Sequence, residues 1–519
     1  MRFYSFFNIL TLFIIQYFTG SFSLRILGIC SCFTGHITPY SGIFRALSAR
    51  GHDVELLMGS DCCQTKVADM FKNATKCFSV DIFNSYRIKA DSQLGGLLNV
   101  KQHFADNGTK IAFDLTHKFL EENADRYDII VSDFIQLGSY IAAELHNIPA
   151  VVSYLGPMGL TPQNRPDERS GLIYLPETTL PDVVISAIEF LGESIFQLLV
   201  SDTVFEMVHQ INSEFKMNPK LRNSGISFHL PFTYYYTFAP IIHMGPTDLF
   251  LINPEFTKQV NNVHSVGFVP DKSSFKKVQA DVLNFISSSE KPVVYMSLGT
   301  VFEMERSKLV KVLRELDEQE QFSIVWAASS EHYTHLSTLE LKKSNVLLVT
   351  GVAQLSLLMR QQVKVFITHA GANSLQEGIF SETPMLVFPG FGDQPANALQ
   401  LVKQNLALPL VELTFKEISR KLDSILDSNT YSHMKKSLKD CKALMISFGG
   451  FEKAADIVEQ VHAGVIKVVD PPPLVDLAAD IYFKLYTIMV IVVCGTFVFW
   501  VALVRCCCKR LQSSKSKSE

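Results

Sequence analysis

Short aliphatic runs recur along the chain, each ending in glycine or polar residues and each followed by a longer amphipathic stretch. Leu24 to Ile29 is the first such run and reads as a strand, followed by a loop over Ser31 to His36. Ile43 to Ala49 has helical spacing and is closed by Gly51, a residue that tolerates the left-handed backbone at a helix end. Val54 to Met58 returns as a strand, which completes a βαβ unit. Tyr127 to Ser132 is a further buried strand ending at Asp133, with a helix from about Gly138 to His146 and a strand at Ile148 to Val152. The alternation restarts at Val293 to Ser297 and continues through Ser323 to Ala327, Asn345 to Val349, Val365 to Thr368 and Met385 to Phe388. Continuous apolar runs separated by helices predict parallel strands covered on both faces. The expected fold class is therefore α/β, with two Rossmann-like doubly wound domains facing across a cleft. Residues 161–230 are less regular, and 266–290 is polar and reads as a linker.

The 519 residues are too many for one core, which agrees with two domains. A hydrophobic content of 47% is raised by two segments outside the alternating pattern. Residues 1–23 carry Arg2, an apolar stretch and Ser21-Phe22-Ser23, the pattern of a secretory signal peptide or of an uncleaved anchor. Leu485 to Val504 is uncharged and long enough to cross a bilayer, and Arg505, Lys509 and Arg510 follow it. By the positive-inside rule, residues 505–519 are a cytosolic tail and the body faces the lumen as a single-pass type I membrane protein. Lys515 and Lys517 resemble a retrieval signal of the endoplasmic reticulum, and Asn73 and Asn107 head glycosylation sequons. The cysteines show no zinc-type spacing, so no metal is expected, and their pairing stays open. A net charge of −4 gives no electrostatic reason to expect nucleic acid.

The chemistry gathers where strands end. Val365 to Thr368 runs into His369 and Gly371, with a helix opening at Asn373-Ser374; Met385 to Phe388 runs into Pro389-Gly390, with a helix opening near Asp393-Gln394-Pro395. Two helix N-termini along one sheet edge present free N–H groups and positive dipole ends, a natural phosphate site. In the first half, His36 and Asp133 also lie just past strand ends. Ser374-x-x-Glu377 is equally a capping-box pattern, and Asp393-Gln394-Pro395 equally a helix start with proline in its first turn.

Phe366-Ile367-Thr368-His369-Ala370-Gly371-Ala372-Asn373-Ser374, then Glu377, Pro384-Met385 and Asp393-Gln394-Pro395 with Asn397, resemble in order and spacing the signature of the UDP-glycosyltransferases, most closely the membrane-bound animal UDP-glucuronosyltransferase-like enzymes. Gly35-His36 followed by Gly51-His52-Asp53-Val54 is similar to that family's pattern around its catalytic histidine. The resemblance implies a GT-B architecture, with an N-terminal acceptor-binding domain (24–265) and a C-terminal UDP-sugar-binding domain (291–470). It implies inverting transfer of glucuronate or glucose to a hydroxyl of a small lipophilic acceptor, with His36 as general base and Asp133 as its partner acid. It further implies Ser297, Gly299, Thr300, Gln354, His369, Gly371, Asn373, Ser374, Glu377, Asp393 and Gln394 as the donor site. Within that set His369, Asn373 and Ser374 would meet phosphate, Glu377 the ribose, and Asp393 and Gln394 the sugar hydroxyls. UDP-sugar is then a co-substrate and no cofactor is bound; the partners are donor, acceptor and the endoplasmic reticulum membrane, and a homo-oligomer is compatible with the sequence.

The chain departs from the family at two positions. Gly351-Val352-Ala353-Gln354 stands where a tryptophan usually opens the motif and stacks on uracil, and Ala327 follows Trp326 where many members have arginine. Both changes remove contact surface from the nucleobase end. They motivate the alternative of a non-catalytic binding or partner protein on the same fold.

Overall fold

The computed structural model describes residues 23–31, 34–59, 63, 76–79, 108–134, 136–154, 213–215, 241–243, 263–299, 305–390 and 394–466. The expected membrane span and tail lie outside them, as do the signal peptide except Ser23, the sequons except Gly108 and Thr109, and the residues Thr300 and Asp393. Among the described residues no helix is long and apolar enough to cross a membrane.

The strands of the first half are β1 (Arg25–Ile29), β2 (Asp53–Met58), β3 (Lys76–Ser79), β4 (Ile129–Asp133), β5 (Ala150–Tyr154), β6 (Ile241–His243) and β7 (Val263–Ser265). They form one parallel sheet in the order β3-β2-β1-β4-β5-β6-β7. The second half contributes β8 (Val293–Ser297), β9 (Ser323–Ala327), β10 (Val346–Val349), β11 (Val363–Thr368), β12 (Met385–Val387) and β13 (Ala407–Pro409). These pair in parallel as β10-β9-β8-β11-β12-β13. Each sheet starts near its middle, winds outward one way and then returns to wind the other way. The reversal lies between β1 and β4 in one sheet and between β8 and β11 in the other. Crossovers diverge there, which leaves a crevice beyond the strand ends.

The helices are α1 (Thr34–Ala49), α2 (Gly108–Asn123), α3 (Leu137–Leu145), α4 (Ala280–Ser288), α5 (Arg306–Glu318), α6 (Ser330–Leu336), α7 (Gln354–Leu358), α8 (Ala372–Phe380), α9 (Gln394–Lys403), α10 (Phe415–Leu426), α11 (Ser428–Ser447) and α12 (Gly450–His462). The loop expected at Ser31 to His36 is shorter than the sequence suggested, because α1 already begins at Thr34 and His36 lies in its first turn. The stretch 266–290 is not featureless: Val266 and Phe268 are buried, and α4 turns Val282 and Ile286 into the core.

Strand alternation sorts the second sheet into two layers. Val293 and Tyr295 face a large core that also takes in Ile26, Ile43 and Phe44 of the first half. Val294 and Met296 face a separate core with Leu309, Leu313 and Leu316 of α5 and Ile418, Leu422 and Ile425 of α10, whose spacing is one helical face.

The last helix, α12, crosses back onto the first half. Its start is set by Gly449 and Gly450, both at positive φ (93° and 62°), and the Gly450 N–H donates to Val266 O at 2.6 Å. The Phe451 ring lies over Gly42 of α1, where a Cβ would fall 2.3 Å from the ring. Arg50 donates to Glu452, Glu459 and the Glu452 carbonyl, and His52 Nε2 lies 2.9 Å from Glu459. These ion pairs are partly exposed and contribute modestly, whereas Phe451 is buried to 6% exposure. Phe451→Ala is therefore expected to destabilise the protein by about 3 kcal/mol, more than loss of the Arg50 pairs, as read from denaturant midpoints.

Candidate active site

The first half supplies an imidazole–carboxylate pair. β1 and β4 are neighbours in the sheet, so residues far apart in sequence emerge side by side at their ends. His36 Nδ1 lies 3.0 and 2.9 Å from the two oxygens of Asp133. Asp133 also accepts from the Ser31 backbone N–H (3.2 Å) and from the Ser31 hydroxyl. Burial alone would raise the Asp133 carboxyl, but His36 and the Ser31 bonds outweigh it and hold the group below its ordinary value. The carboxylate fixes Nδ1–H as the protonated position in neutral His36, which makes Nε2 the basic nitrogen. Phe134 stacks on the imidazole at 5.3 Å between centroids and limits its rotation.

Pro39 lies inside α1 and has no N–H. It cannot donate the bond that the Gly35 carbonyl would receive in an uninterrupted helix. That carbonyl accepts instead from Asn373 Nδ2 of the second half, at 2.8 Å. The residue before His36 thus touches the start of α8, and the two strand-end constellations share one crevice.

The second half supplies the turn itself. β11 ends at Thr368, and His369 follows. Ala370 takes φ 62°, an uncommon left-handed conformation for alanine, with its carbonyl held by Asn397 Nδ2 at 3.0 Å. Gly371 is the N-cap of α8 and has no side chain to satisfy the first-turn N–H groups, which stay available to a ligand. The alternative reading of Ser374 and Glu377 as a capping box is thereby removed. The helix starts one turn too early for Ser374 to cap it, and both Ser374 and Glu377 are bonded to Gln354 Nε2, at 3.1 and 2.5 Å. Gln394 Oε1 accepts from the Gly390 N–H at 2.9 Å and closes the second turn.

His369 is wedged between two glycines. A Cβ at Gly299 would lie 2.8 Å from His369 Nε2, and one at Gly371 would lie 2.5 Å from it. Gly299 also takes φ +81°, so glycine is required there on two counts. Burial pushes His369 down to about 4, with the Ser297 backbone acting in the opposite direction without closing a hydrogen bond on Nδ1. The ring is neutral at ordinary pH. Burial pushes Glu377 up to about 7, partly offset by its bond from Gln354, although part of the side chain still meets the crevice.

These shifts have opposite signs in pH-dependent stability. Glu377 binds more protons folded than unfolded between its ordinary value and about 7, so it removes stability as pH rises through that window. His369 binds fewer protons folded than unfolded between about 4 and its ordinary value, so it adds stability as pH rises. Glu377→Gln is expected to steepen the rise in melting temperature from pH 5 to 7, by on the order of 1–2 kcal/mol in stability.

Of the expected site residues, His36, Asp133, Ser297, Gly299, His369, Gly371, Asn373, Ser374 and Glu377 lie at the strand ends flanking the two reversals or on the helices that follow, whereas Gln354 opens α7 after the edge strand β10 and Gln394 opens α9 after β12. Ser31, Pro39, Tyr295 and Asn397 complete the constellation and were not among them. Of these, Asn397 stands in the quoted signature without a role assigned to it, and Pro39 carries a signal of its own, a proline interrupting a helical run. At the first of the two departures from the family pattern the Gly351 carbonyl accepts from Gln279 Nε2, and among the described residues a Cβ at Gly351 would meet no neighbouring atom within 4 Å. Trp326 is 2% exposed and belongs to the core. Among the described residues no cluster of His, Cys, Asp and Glu is placed to hold a metal ion.

Known proteins match this chain in sequence and in fold. The family described as UDP-glucoronosyl and UDP-glucosyl transferase matches residues 34–440. An anthocyanidin 3-O-glucosyltransferase of Solanum melongena is 32% identical over 28% of this chain and 35% of its own length. UDP-glucuronosyltransferase 3A1 of Mus musculus is 28% identical over 33% of each chain, so the alignment spans about a third of these two relatives. UDP-glucuronosyltransferase 2B33 of Macaca mulatta is 25% identical over 71% of each chain. Among solved structures, the glycosyltransferase of kitacinnamycin aligns with TM-score 0.59 and 18% identity, over 85% of this chain and 99% of its own. The calicheamicin glycosyltransferase CalG4 aligns with TM-score 0.58 and 15% identity, over 86% and 100%. At these identities the structures speak for the fold alone, which is the GT-B fold. With a family match across most of the chain, this protein belongs to the UDP-glucuronosyl and UDP-glucosyl transferase family.

Proposed function

We propose that the chain transfers a sugar, glucuronate or glucose, from its UDP conjugate to a hydroxyl of a small lipophilic acceptor, with inversion at the anomeric carbon. His36 Nε2 takes the acceptor proton as the new C–O bond forms, and Asp133 stabilises the imidazolium. The bond from the anomeric carbon to the diphosphate breaks, and UDP leaves with its charge against the first turn of α8 and His369. Thr300, Ser297 and Gly299 would line the other side of the diphosphate, and Asp393 and Gln394 would meet the sugar hydroxyls. The observation that carries this reading is the bond from Asn373 Nδ2 to Gly35 O, which joins the turn proposed to hold phosphate to the residue beside the proposed base.

The apolar run 485–504 and the basic residues after it support a type I anchor in the endoplasmic reticulum membrane, with the two sheets in the lumen. A membrane site suits acceptors that partition into lipid. The test is incubation of membranes containing the protein with labelled UDP-glucose or UDP-glucuronate and a panel of phenols. Transfer to at least one phenol is expected; no transfer with either donor sinks the reading. A non-catalytic binder is the second reading, favoured by the empty space at Gly351, and calorimetric binding of UDP without any transfer would support it.

A further inference from the structure

We propose that Tyr295 is a positioning residue that makes the donor site selective for a ribonucleotide: its hydroxyl orients the Gln354 amide, and that amide holds the Glu377 carboxylate in the direction that grips a 2′,3′-diol. The inference rests on the proposed UDP-sugar function and names a residue outside the motif that suggested it.

Tyr295 is the third residue of β8 and is 1% exposed. Its ring stacks on Phe366 of β11, 5.1 Å between centroids and 18° between planes. Its neighbours in the strand, Val293, Val294 and Met296, are apolar, and a phenylalanine would satisfy the same packing. The hydroxyl is therefore the part that needs explaining, because burying it unbonded would be costly. It donates to Gln354 Oε1 at 2.9 Å.

A primary amide has an acceptor end and a donor end. With Oε1 committed to the phenol, Nε2 points the other way and bonds Ser374 Oγ (3.1 Å) and Glu377 Oε2 (2.5 Å) on α8. Above about pH 7, where Glu377 is ionised, the reversed amide would set its oxygen against a carboxylate oxygen, two acceptors with no proton between them. The phenol decides between these orientations. Burial lifts its pKa far above the ordinary value, the Ser297 side chain opposes this and the Glu377 charge adds to it, so it remains a donor throughout the physiological range. With Oε2 held, the carboxylate cannot rotate freely, and the direction of its second oxygen is set. A ribose presents two adjacent hydroxyl donors to such a group; a 2′-deoxyribose presents one.

The test is calorimetric titration of the full chain in detergent with UDP and with 2′-deoxy-UDP. The wild type is expected to prefer UDP by about tenfold, the scale of one hydrogen bond to a charged group. Tyr295→Phe is expected to bring that ratio to about 1–2, with affinity for 2′-deoxy-UDP changed by less than about twofold, since the diphosphate contacts stay in place. A merely structural role would weaken both ligands together. Tyr295→Phe that retains the tenfold preference overturns the inference, as does a wild type with no preference. A wild type that binds neither ligand removes the proposed function itself, and this inference with it. Should Tyr295→Phe melt below the assay temperature, Gln354→Met, which keeps the length of the side chain without its amide, is expected to bring the ratio to about 1–2 as well, read from the ratio alone because Gln354 itself belongs to the proposed donor site.

Discussion

His36→Ala is expected to lower sugar transfer by about three orders of magnitude while UDP affinity changes little. General-base catalysis contributes ~10²–10⁴ in rate, and the imidazole belongs to α1 of the first half, whereas the turn proposed for the diphosphate opens α8 of the second. The effect should fall on kcat with the donor KM nearly unchanged. Truncation has a second consequence. Asp133 is 1% exposed, and its depressed pKa depends on His36 as well as on Ser31. Without the imidazole, burial dominates and the carboxyl moves up. Stability is then expected to drop by about 1–3 kcal/mol near neutral pH, the scale for a buried polar group that loses its partner, and to recover partly in acid as the carboxyl protonates. Single-turnover rates with UDP titrations on the same preparation separate the two effects. Retained turnover would assign the proton to another group.

The long strands were legible because they are apolar on both faces. Val293–Ser297 and Ser323–Ala327 are bounded where the alternation of aliphatic runs and polar breaks puts them. Strands β3, β6, β7 and β13 escaped notice because each is only three or four residues long and is broken by a polar residue or proline, unlike the equally short but wholly apolar β10 and β12. The start of α1 was hidden by Gly35 and Pro39, both of which argue against helix on propensity. The context overrides that propensity, and the missing N–H becomes the means of docking on Asn373. The Cys63–Cys77 disulfide was equally unreadable, since pairing depends on how the chain folds around it.

The site shows the same division between residue type and placement. His36, Asp133 and His369 stood out as polar groups at strand ends, but their adjacency follows from strand order, which no local pattern encodes. Both sheets reverse direction once, and each reversal has one of the two chemical constellations at its mouth. Ser374 and Glu377 illustrate the ambiguity that remains at sequence level. Their spacing satisfies a capping box, and only the position of Gly371 at the N-cap releases them to bond Gln354. Tyr295 was invisible for the opposite reason, because an aromatic residue in a buried strand reads as packing until its hydroxyl is followed to Gln354.

Gly371→Ala is expected to reduce kcat/KM for the donor by about a hundredfold, the scale of an ångström-level misplacement in an active site. The backbone does not explain this loss, since Gly371 has φ −64° and ψ 147°, a conformation any residue adopts. The cause is steric: the new Cβ would lie 2.5 Å from His369 Nε2, and Gly299 blocks retreat in its own direction. Among the described residues Nδ1 of that ring closes no hydrogen bond, so packing and the weak pull of the Ser297 backbone are what hold it where it is. The imidazole must therefore swing away from the first turn of α8. Melting should shift by less than ~1 kcal/mol, because no large apolar side chain loses its contacts. The decisive measurement is the double substitution. If the loss acts through the imidazole, Gly371→Ala adds little once His369→Ala is present, and the two effects are strongly non-additive. A full hundredfold loss in the His369→Ala background would instead place the requirement for glycine on direct approach of the donor to the backbone.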